Sequence, residues 1–387
     1  MQRIAVIGAG IVGAATAFRL AQQGAQVFCI DRALPGRGTT ATSFARVSAI
    51  YGYPSKAHFD LKFAGMHEYR RIHEEFGARP WLHACGSLVW SDSPSEPDHR
   101  RRLEQFRQWG YAIECWEASR VVRELEAEMV FSQPQTSVAF FPQEAWIDAP
   151  ALAEDFLARA RSLGAEVRYP TSVVAVETRN GRVRGVRLTP GERLEVDAVV
   201  NAAGPHADQI AALAGLPLSL TPTRGLLVEL AVEEVPIRRI IQGPYIRMRP
   251  AGMHSVLIQA NNEDWVQSAE QAIQHDHPLC GALVQHAQQV IPVLATASRV
   301  QPRIGVRPIP GDGLPCVGEV SAVTGYYEAV TDSGITLGPL VGRLLAEEIL
   351  TGMRSRLLAP FCPDRFARGT PDLNSDPSTY ERATATG

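Results

Sequence analysis

The chain has 387 residues, of which 45% are hydrophobic and 20% are charged, and its formal net charge is −3. A chain of this length is too long for one simple core, so we expect two lobes. The balanced charge, without any run of lysine or arginine, argues against a protein that binds nucleic acid.

Residues 3–32 are predicted to form a strand, a glycine-rich loop, a helix over about 11–23 and a second strand over 27–30, which ends at Asp31. Both strands are short apolar runs, as is typical of buried parallel strands. The loop GAGIVG, at residues 8–13, has the GxGxxG pattern. Together these features predict a dinucleotide-binding unit.

Each residue of this pattern has a physical role in holding a dinucleotide. Gly8 permits the tight turn, Gly10 lets the backbone approach a pyrophosphate, and Gly13 lets the helix pack closely on the sheet. The helix N-terminus offers free N–H groups to the phosphates. Asp31 can accept hydrogen bonds from an adenosine ribose. This spacing does not distinguish NAD from FAD.

Residues 149–204 again combine a helix with short strands, as the first thirty residues do. A helix and a strand are followed by a hairpin that turns at Asn180 and Gly181. The apolar strand 198–200 then runs into the small residues 201–204, where a backbone can pass close to a ligand.

The segment GVRPIPGDGLPCVG, at residues 305–318, is rich in glycine and proline and predicts a rigid, sharply turned loop. It holds one arginine, Arg307, directly before Pro308. A strand, a polar loop and a helix that begins near Ile335 are predicted to follow.

Two other segments, 86–145 and 221–300, alternate strand-like stretches with charged helices and predict a second lobe built from two insertions. The first lobe would then comprise 1–85, 146–220 and 301–362. Residues 363–387 are polar and rich in proline, serine and threonine, which predicts a flexible tail.

The six cysteines lie far apart without a CxxC pair, so neither a disulfide framework nor a zinc ribbon is indicated. His275 and His277 form an HxH pair without a second ligand cluster, so we expect no metal. No apolar stretch reaches the roughly 18 residues of a membrane span. The early apolar strand leaves no signal peptide, and we expect a cytoplasmic protein.

Five motifs stand in one order along residues 1–360: GAGIVG with Asp31, GRGTTATSFA, VVNAAG, GVRPIPGDGLPCVG and GITLGP. In this combination the chain resembles the FAD-dependent amine oxidoreductases that include D-amino-acid oxidase, glycine oxidase and sarcosine oxidase. The resemblance implies FAD rather than NAD. It also implies an α/β fold, in which a Rossmann-type FAD-binding domain carries an inserted α+β substrate domain with an antiparallel sheet.

The resemblance also implies which residues hold the FAD. The helix that opens with GITLGP would aim its N-terminal N–H groups at the pyrimidine edge of the flavin, where reduction adds negative charge. An ordinary helix start after a turn is the alternative. The implied cofactor residues are Gly8, Gly10, Ile11, Val12, Gly13, Asp31, Arg32, Thr39, Thr40, Ser43, Val173, Val174, Ala202, Ala203, Gly204, Gly334, Ile335, Thr336 and Leu337.

Arg307 matches the arginine that holds the substrate carboxylate in relatives. Guanidinium and carboxylate fit as a bidentate fork, which would fix the α-carbon as well as bind it. A rigid loop lowers the cost of ordering that arginine. A structural salt bridge between the lobes is the alternative interpretation.

The segment GPYIRMRPAGM departs from the pattern of relatives, which place a carboxylate-binding tyrosine three residues before the proline. Arg247 stands at that position here, and Tyr245 lies two residues earlier. Either Tyr245 binds the carboxylate after a small shift or Arg247 replaces the tyrosine.

Arg46 matches a position that faces the substrate in some relatives. Three arginines around one pocket would repel each other unless the ligand were doubly anionic, so we hypothesise a substrate with a second acidic group. Surface salt bridges would explain Arg46 and Arg247 equally well.

Two further residues lie, in the sequence, next to motifs implied to contact the cofactor. His206, after AAGP, is a candidate base, but a helix-start residue is the simpler interpretation. Cys316 does not occupy the attachment position of relatives with covalent flavin. We therefore expect a core cysteine and non-covalent FAD.

The implied reaction is oxidation of a D-amino acid, glycine or an N-alkyl glycine by hydride transfer from the α-carbon to flavin N5. The resulting imine would be hydrolysed to an oxo acid. Two alternatives remain open: a 2-hydroxy acid dehydrogenase, and an accessory flavoprotein subunit of a heteromeric dehydrogenase. The electron acceptor, oxygen or a quinone, is equally open.

Overall fold

The computed structural model describes residues 1–50, 55–91, 96–260 and 273–368. The strands of these residues are β1 (Arg3–Ile7), β2 (Gln26–Ile30), β3 (Arg46–Val47), β4 (Leu82–His83), β5 (Ser87–Val89), β6 (Glu114–Glu117), β7 (Ser137–Phe141), β8 (Ala145–Ile147), β9 (Glu166–Arg168), β10 (Val173–Arg179), β11 (Arg182–Leu188), β12 (Arg193–Glu195), β13 (Ala198–Asn201), β14 (Thr223–Ala231), β15 (Ile240–Gln242), β16 (Ile246–Pro250), β17 (Ser255–Ala260), β18 (Arg299–Arg307), β19 (Cys316–Glu319) and β20 (Tyr326–Val330). The α-helices are α1 (Ile11–Gln22), α2 (Lys56–Phe76), α3 (Glu96–Gln108), α4 (Ala118–Glu124), α5 (Ala149–Ser162), α6 (Ala207–Leu213), α7 (Pro278–Val290) and α8 (Gly334–Thr351).

The first sheet has the strand order β19-β20-β13-β1-β2-β9. Its strands are parallel except at one edge, where β19 runs antiparallel to β20. The burial pattern explains this arrangement, because β13 and β20 are buried along their whole length and a parallel sheet must be covered on both faces. The predicted strand–loop–helix–strand unit at the N-terminus is confirmed, and the mixed α/β class with it.

Helix α1 packs on one face of this sheet, between α5 and α8. The close contact with α8 requires glycine, because a Cβ added at Gly342 would lie 2.7 Å from the carbonyl carbon of Ala15. The small residues predicted to face the sheet, Ala14, Ala15 and Ala17, are fully buried. This packing fixes the N-termini of α1 and α8 relative to the sheet.

The other face is covered by the three-stranded sheet β10-β11-β12, and a separate cluster of buried residues lies between the two sheets. The predicted hairpin turn is present, with positive φ angles of 49° at Asn180 and 67° at Gly181. Such a turn matches the twist of the paired strands.

The second lobe is built on an eight-stranded sheet with the order β18-β14-β17-β16-β15-β5-β7-β6. All its neighbours pair antiparallel except β15 and β5. The two predicted insertions therefore supply one sheet, and a buried apolar cluster with residues of α4 and α7 lies against it.

Two segment boundaries in the structure differ from those expected from the sequence. The loop predicted from residue 305 starts later, because residues 305–307 extend β18, which pairs with β14 at the edge of the sheet formed by the described residues. Strand β18 thus belongs to the second sheet, although most of it was assigned to the first lobe. At the predicted tail, residues 363–368 form a 3₁₀ turn in which Arg365 pairs with Asp312 at 2.6 Å. The remainder of that tail, 369–387, lies outside the described residues.

In the part of the chain that the structure describes, no helix combines the length and the apolar character needed to cross a membrane. The same residues contain no group of three or more histidine, cysteine, aspartate or glutamate side chains arranged to hold a metal ion.

Candidate active site

A large cavity, of about 710 Å³, lies at the carboxyl ends of β1, β2, β13 and β20. Its opposite wall is formed by β14, β16 and β18 of the eight-stranded sheet, and the N-terminus of α8 closes part of it. Ligands of open parallel sheets bind in the crevice at the carboxyl ends of the strands. The fold therefore places this cavity where a dinucleotide and a substrate can meet.

The glycine loop after β1 has the close backbone contacts that its pattern predicts. Gly8 has a φ of +105°, and a Cβ there would lie 2.3 Å from the carbonyl oxygen of Ala202. A Cβ at Gly13 would lie 1.9 Å from the carbonyl oxygen of Gly8. Gly10 differs, because its nearest neighbour would be the Thr40 hydroxyl at 3.1 Å. Thus Gly8 and Gly13 are required by the fold, whereas a Cβ at Gly10 would contact only the Thr40 hydroxyl beside the cavity.

This difference predicts two distinct outcomes of mutation. Gly13→Ala is expected to prevent correct folding, since the methyl group overlaps backbone that has nowhere to move. Gly10→Ala is expected to fold and to bind FAD at least ten-fold more weakly, because its φ of −72° suits alanine but the methyl group occupies the phosphate side of the loop. Circular dichroism and FAD titration would test both. Gly281→Ala, in a helix with open space around it, is the control and should retain FAD binding. Normal FAD affinity in Gly10→Ala would contradict this role.

Asp31 holds the loop through its carboxylate. Its Oδ2 accepts a hydrogen bond from the Ala9 N–H at 2.7 Å, and its Oδ1 accepts one from the Ala33 N–H at 2.9 Å. Arg32 follows, with its Nη2 atom 2.5 Å from Nε2 of His206. Burial and the neighbouring Arg32 lower the pKa of His206, so its imidazole is neutral near pH 7. His206 lies in the 3₁₀ turn before α6 and lines the cavity beside the glycine loop.

The N-terminus of α8 is held in place by α2. The Tyr69 hydroxyl donates a hydrogen bond to the Ile335 carbonyl oxygen at 2.5 Å. At Gly65, an added Cβ would lie 2.5 Å from the carbonyl oxygen of Thr336, so the two helices can approach this closely only because that residue is glycine. The resulting helix end lines the cavity with backbone N–H groups that can stabilise negative charge.

Most of the predicted cofactor residues come together in this cavity. Four do not line it: Gly13 packs against Gly8, Leu337 is fully buried, and Val173 and Val174 begin β10 outside its walls. The predicted residues that line it are Gly8, Gly10, Ile11, Val12, Asp31, Arg32, Thr39, Thr40, Ser43, Ala202, Ala203, Gly204, Gly334, Ile335 and Thr336.

Arg307 is the last residue of β18 and lines the cavity on the side of the eight-stranded sheet. Its Nε and Nη2 atoms are screened from solvent. The strand is anchored to the other lobe, since the Thr39 hydroxyl donates to the Val306 carbonyl oxygen at 2.6 Å and a Cβ at Gly305 would lie 2.2 Å from the Thr42 carbonyl oxygen. These contacts hold the backbone that carries Arg307 against the other lobe.

Arg46 also lines the cavity, but its charge is balanced by a buried carboxylate. Its Nε donates to Oε2 of Glu144 at 2.7 Å, and its Nη1 donates to Oε1 of Gln242 at 2.5 Å. The Arg46 side chain is 6% exposed and that of Glu144 is 0% exposed. Glu144 accepts three more hydrogen bonds, from the hydroxyls of Ser48, Ser87 and Tyr111. The three predicted arginines do line one cavity, yet Arg46 is not an uncompensated charge there.

Arg247 and Tyr245, the two candidates for the tyrosine position of relatives, occupy different surroundings. Arg247 lies in β16 and lines the cavity. Tyr245 precedes that strand, is 63% exposed, and has its ring against His286 at 5.5 Å. Because strand alternation does not extend to residue 245, the structure assigns the pocket position to Arg247 and not to Tyr245. Arg249 lies two residues further along β16 and lines a second, smaller cavity.

A buried lysine in the large cavity was not anticipated. Lys62, on α2, is 1% exposed and lines the cavity with Ser48 and Asp332. Burial lowers the pKa of its ammonium group to about 8; Asp332 acts in the opposite direction and Arg46 lowers it further. The signal in the sequence was a lysine on the apolar face of a helix, three residues after the buried Phe59.

Cys316 is fully buried on β19 and does not line the large cavity in the described part of the chain. Burial is the main cause that raises the pKa of its thiol far above its ordinary value, so it is a poor nucleophile. This environment fits the expected core cysteine.

Comparison with protein families gives one match that covers most of the chain. The DAO family model, described as FAD dependent oxidoreductase, matches residues 3–348. Glycine oxidase from Pseudomonas aeruginosa is 25% identical over 385 residues, which cover 94% of this chain and 98% of that protein. Other relatives are longer, and the chain spans 55% of the length of one that is 25% identical.

Solved structures with the same fold include two amine oxidases. Glycine oxidase from Geobacillus kaustophilus superposes with a TM-score of 0.83 at 24% identity, and the match covers 94% of this chain and 99% of that one. Iminodiacetate oxidase from Chelativorans sp. BNC1 gives a TM-score of 0.79 at 26% identity, with 93% and 99% covered. The expected Rossmann-type FAD-binding fold is confirmed by these matches.

Proposed function

The chain belongs to the DAO family of FAD dependent oxidoreductases, and on that premise we propose that it oxidises a D-amino acid, glycine or an N-alkyl glycine. The α-carbon gives up a hydride, and the imine that forms is hydrolysed to an oxo acid and an amine or ammonia. The observation that carries this proposal is the position of Arg307. A guanidinium on an anchored strand end faces the same cavity as the glycine loop and the α8 N-terminus.

The residues of the large cavity fit FAD. The N-termini of α1 and α8 both line this cavity, and their free backbone N–H groups would hold the phosphates and the flavin of FAD. When bound there non-covalently, FAD supplies the acceptor for two electrons and one hydrogen. The buried Cys316 is not placed to bond to it.

The chain's own residues would bind and orient the substrate. Arg307 takes the carboxylate as a bidentate pair, which leaves the amine and the α-hydrogen free to turn toward the cofactor side of the cavity. Among the described residues, the wall formed by the eight-stranded sheet brings no carboxylate, imidazole or amine into the cavity, so we expect the substrate's amine to react in its neutral form. Lys62 lies elsewhere, on α2 with Ser48 and Asp332. His206 is neutral, but it lies beside Arg32 at the dinucleotide end.

The test is an anaerobic screen of the yellow holoprotein. We expect D-amino acids, glycine or sarcosine to bleach the flavin absorption in wild type and to do so far more slowly in Arg307→Ala. Bleaching by 2-hydroxy acids alone would replace the amine with an alcohol as the oxidised group. No bleaching by any of these compounds, with FAD bound, would reject catalysis by this chain alone and favour an accessory subunit. Reoxidation by oxygen or by a quinone would then identify the acceptor.

A second acidic group on the substrate is a finer proposal. Arg247 and Arg307 lie on different strands of one cavity wall, and Arg46 keeps its own carboxylate. Two guanidinium groups suit a substrate with two acidic groups, and the neighbour of 26% identity is an iminodiacetate oxidase. We expect at least ten-fold higher kcat/KM for dicarboxylic over neutral amino acids in wild type. Arg247→Met should abolish this preference while retaining the activity on neutral substrates. Equal rates on both classes in wild type would reject the second acidic group.

A reducing, cytoplasmic setting remains our expectation. It is supported by the six cysteines, all of which are free thiols in the structure.

A further inference from the structure

A second cavity, of about 360 Å³, lies behind the chain segment that lines the large one. The two cavities share Thr40, Thr42, Ser43, Ala45 and Leu227 as a common wall. The glycine loop, Arg307 and the α8 N-terminus line only the large cavity. The volume of the second cavity is within the range of small-molecule sites.

Arg249 is the central charged group of this second cavity and is 7% exposed. Its Nε donates to the Phe44 carbonyl oxygen and its Nη1 donates to the Pro250 carbonyl oxygen, both at 2.6 Å. The Nη2 atom donates to no group in the described residues. The guanidinium lies 4.5 Å from the ring centre of Trp146. Burial lowers the pKa of Arg249 to about 10, so the group remains cationic at neutral pH.

The same cavity also holds negative charge. Asp148 lines it while its Oδ1 accepts the Ala151 N–H at 3.1 Å, and Glu229 lines it while paired with Arg303. Two guanidinium groups and two carboxylates therefore surround one space. A ligand with a single charge would leave one sign uncompensated, whereas a zwitterion can satisfy both.

Part of the remaining wall of the second cavity is formed by two aromatic rings. The rings of His83 and Trp146 stack in parallel, with their centres 3.7 Å apart and an angle of 8° between their planes. Burial lowers the pKa of His83, and Arg249 lowers it further, so its ring is neutral and adds no charge near pH 7. His83 and Arg249 thus cover the two faces of the Trp146 ring, and apolar contacts for the carbon skeleton of a small ligand would come from Leu227 and Leu257.

We propose that this second cavity binds a small zwitterionic amino acid that does not react there. The carboxylate pairs with Nη2 of Arg249, and the ammonium group lies on the side of Asp148 and Glu229. The choice of an amino acid follows from the charges of the cavity, and its identity with the substrate class rests on the proposed function. The site is thus a second position for an amino acid, separated from the oxidation site by residues 40–45.

The probe for the test is 2-aminoisobutyrate, a zwitterion without an α-hydrogen that cannot be oxidised at the α-carbon. The holoenzyme is titrated with two readouts: flavin absorption for the large cavity, and tryptophan fluorescence for the second cavity through Trp146. Trp146→Phe identifies the reporter. Arg249→Met removes the cation, and Ala251→Phe fills the cavity from a half-exposed turn without altering the buried arginine.

In Arg249→Met and Ala251→Phe, we expect the 2-aminoisobutyrate concentration that gives half of the fluorescence change to rise at least ten-fold. In Arg307→Met, that concentration should stay the same. The flavin change should be lost only in Arg307→Met. Loss of both signals together in Arg307→Met would mean a single site and overturn the proposal, as would a fluorescence titration unaffected by Ala251→Phe or absent in wild type. A fluorescence change without any flavin change or bleaching by amino acids would instead reject the proposed function and leave the second site standing.

Discussion

Arg307→Met is expected to lower kcat/KM for the amino acid substrate by roughly 10²- to 10⁴-fold. Hydrogen bonds to charged groups contribute about 1.5–3 kcal/mol each, and a bidentate pair provides two of them. Each 1.36 kcal/mol is about a ten-fold change in rate, which gives this range. Part of the loss should appear in kcat, because the carboxylate contact orients the α-carbon as well as binding it. Steady-state kinetics and anaerobic flavin reduction would measure both parts.

Two variants control for this result. Arg307→Lys keeps the charge but cannot form the fork, so it should recover only a minor part of the activity. Tyr245→Phe tests the residue that the sequence first suggested, and its kcat/KM should stay within about two-fold of wild type because the ring lies against His286, 63% exposed. Full activity in Arg307→Met would assign that arginine to a structural contact between the lobes.

The dinucleotide half of the molecule was predictable because its signals are local. The glycine loop, the apolar strands and the small face of α1 occur within thirty consecutive residues, and each has one physical interpretation. The turn at Asn180 and Gly181 was equally local, since two residues with positive φ determine it. In both cases the chain needs no distant partner to define the element.

The substrate half was less predictable because its contacts are long-range. Arg46 lines the cavity, but its partner Glu144 is 98 residues away and no sequence signal links the two. Tyr245 was one of two candidates taken from the pattern of relatives, and it does not line the cavity because β16 begins one residue after it. The edge strand β18 continues to Arg307 because its pairing with β14 overrides the glycine and proline content that predicted a loop.

Glu144→Gln is expected to lower the free energy of unfolding by about 3–5 kcal/mol, the usual cost of leaving one member of a buried ion pair uncompensated. The reason is the burial of both partners, with side-chain exposures of 6% for Arg46 and 0% for Glu144. The three hydroxyls that donate to Glu144 would also lose a charged acceptor, and their hydrogen bonds would weaken. The shift of the urea midpoint at saturating FAD would measure the loss.

The double variant Arg46→Met with Glu144→Gln separates the ion pair from the rest of the network. Removing both charges ends the desolvation cost, so we expect the double variant to be more stable than Glu144→Gln alone by at least about 1 kcal/mol. It should also retain FAD, because the glycine loop and the α8 N-terminus are untouched. If the losses of unfolding free energy in the two single variants simply added up in the double variant, Arg46 and Glu144 would act independently. The charge balance in the cavity would then have to come from Asp332 near Lys62.

The same double variant keeps Arg247 and Arg307. An unchanged preference for dicarboxylic substrates would therefore locate that specificity on the eight-stranded sheet rather than at Arg46.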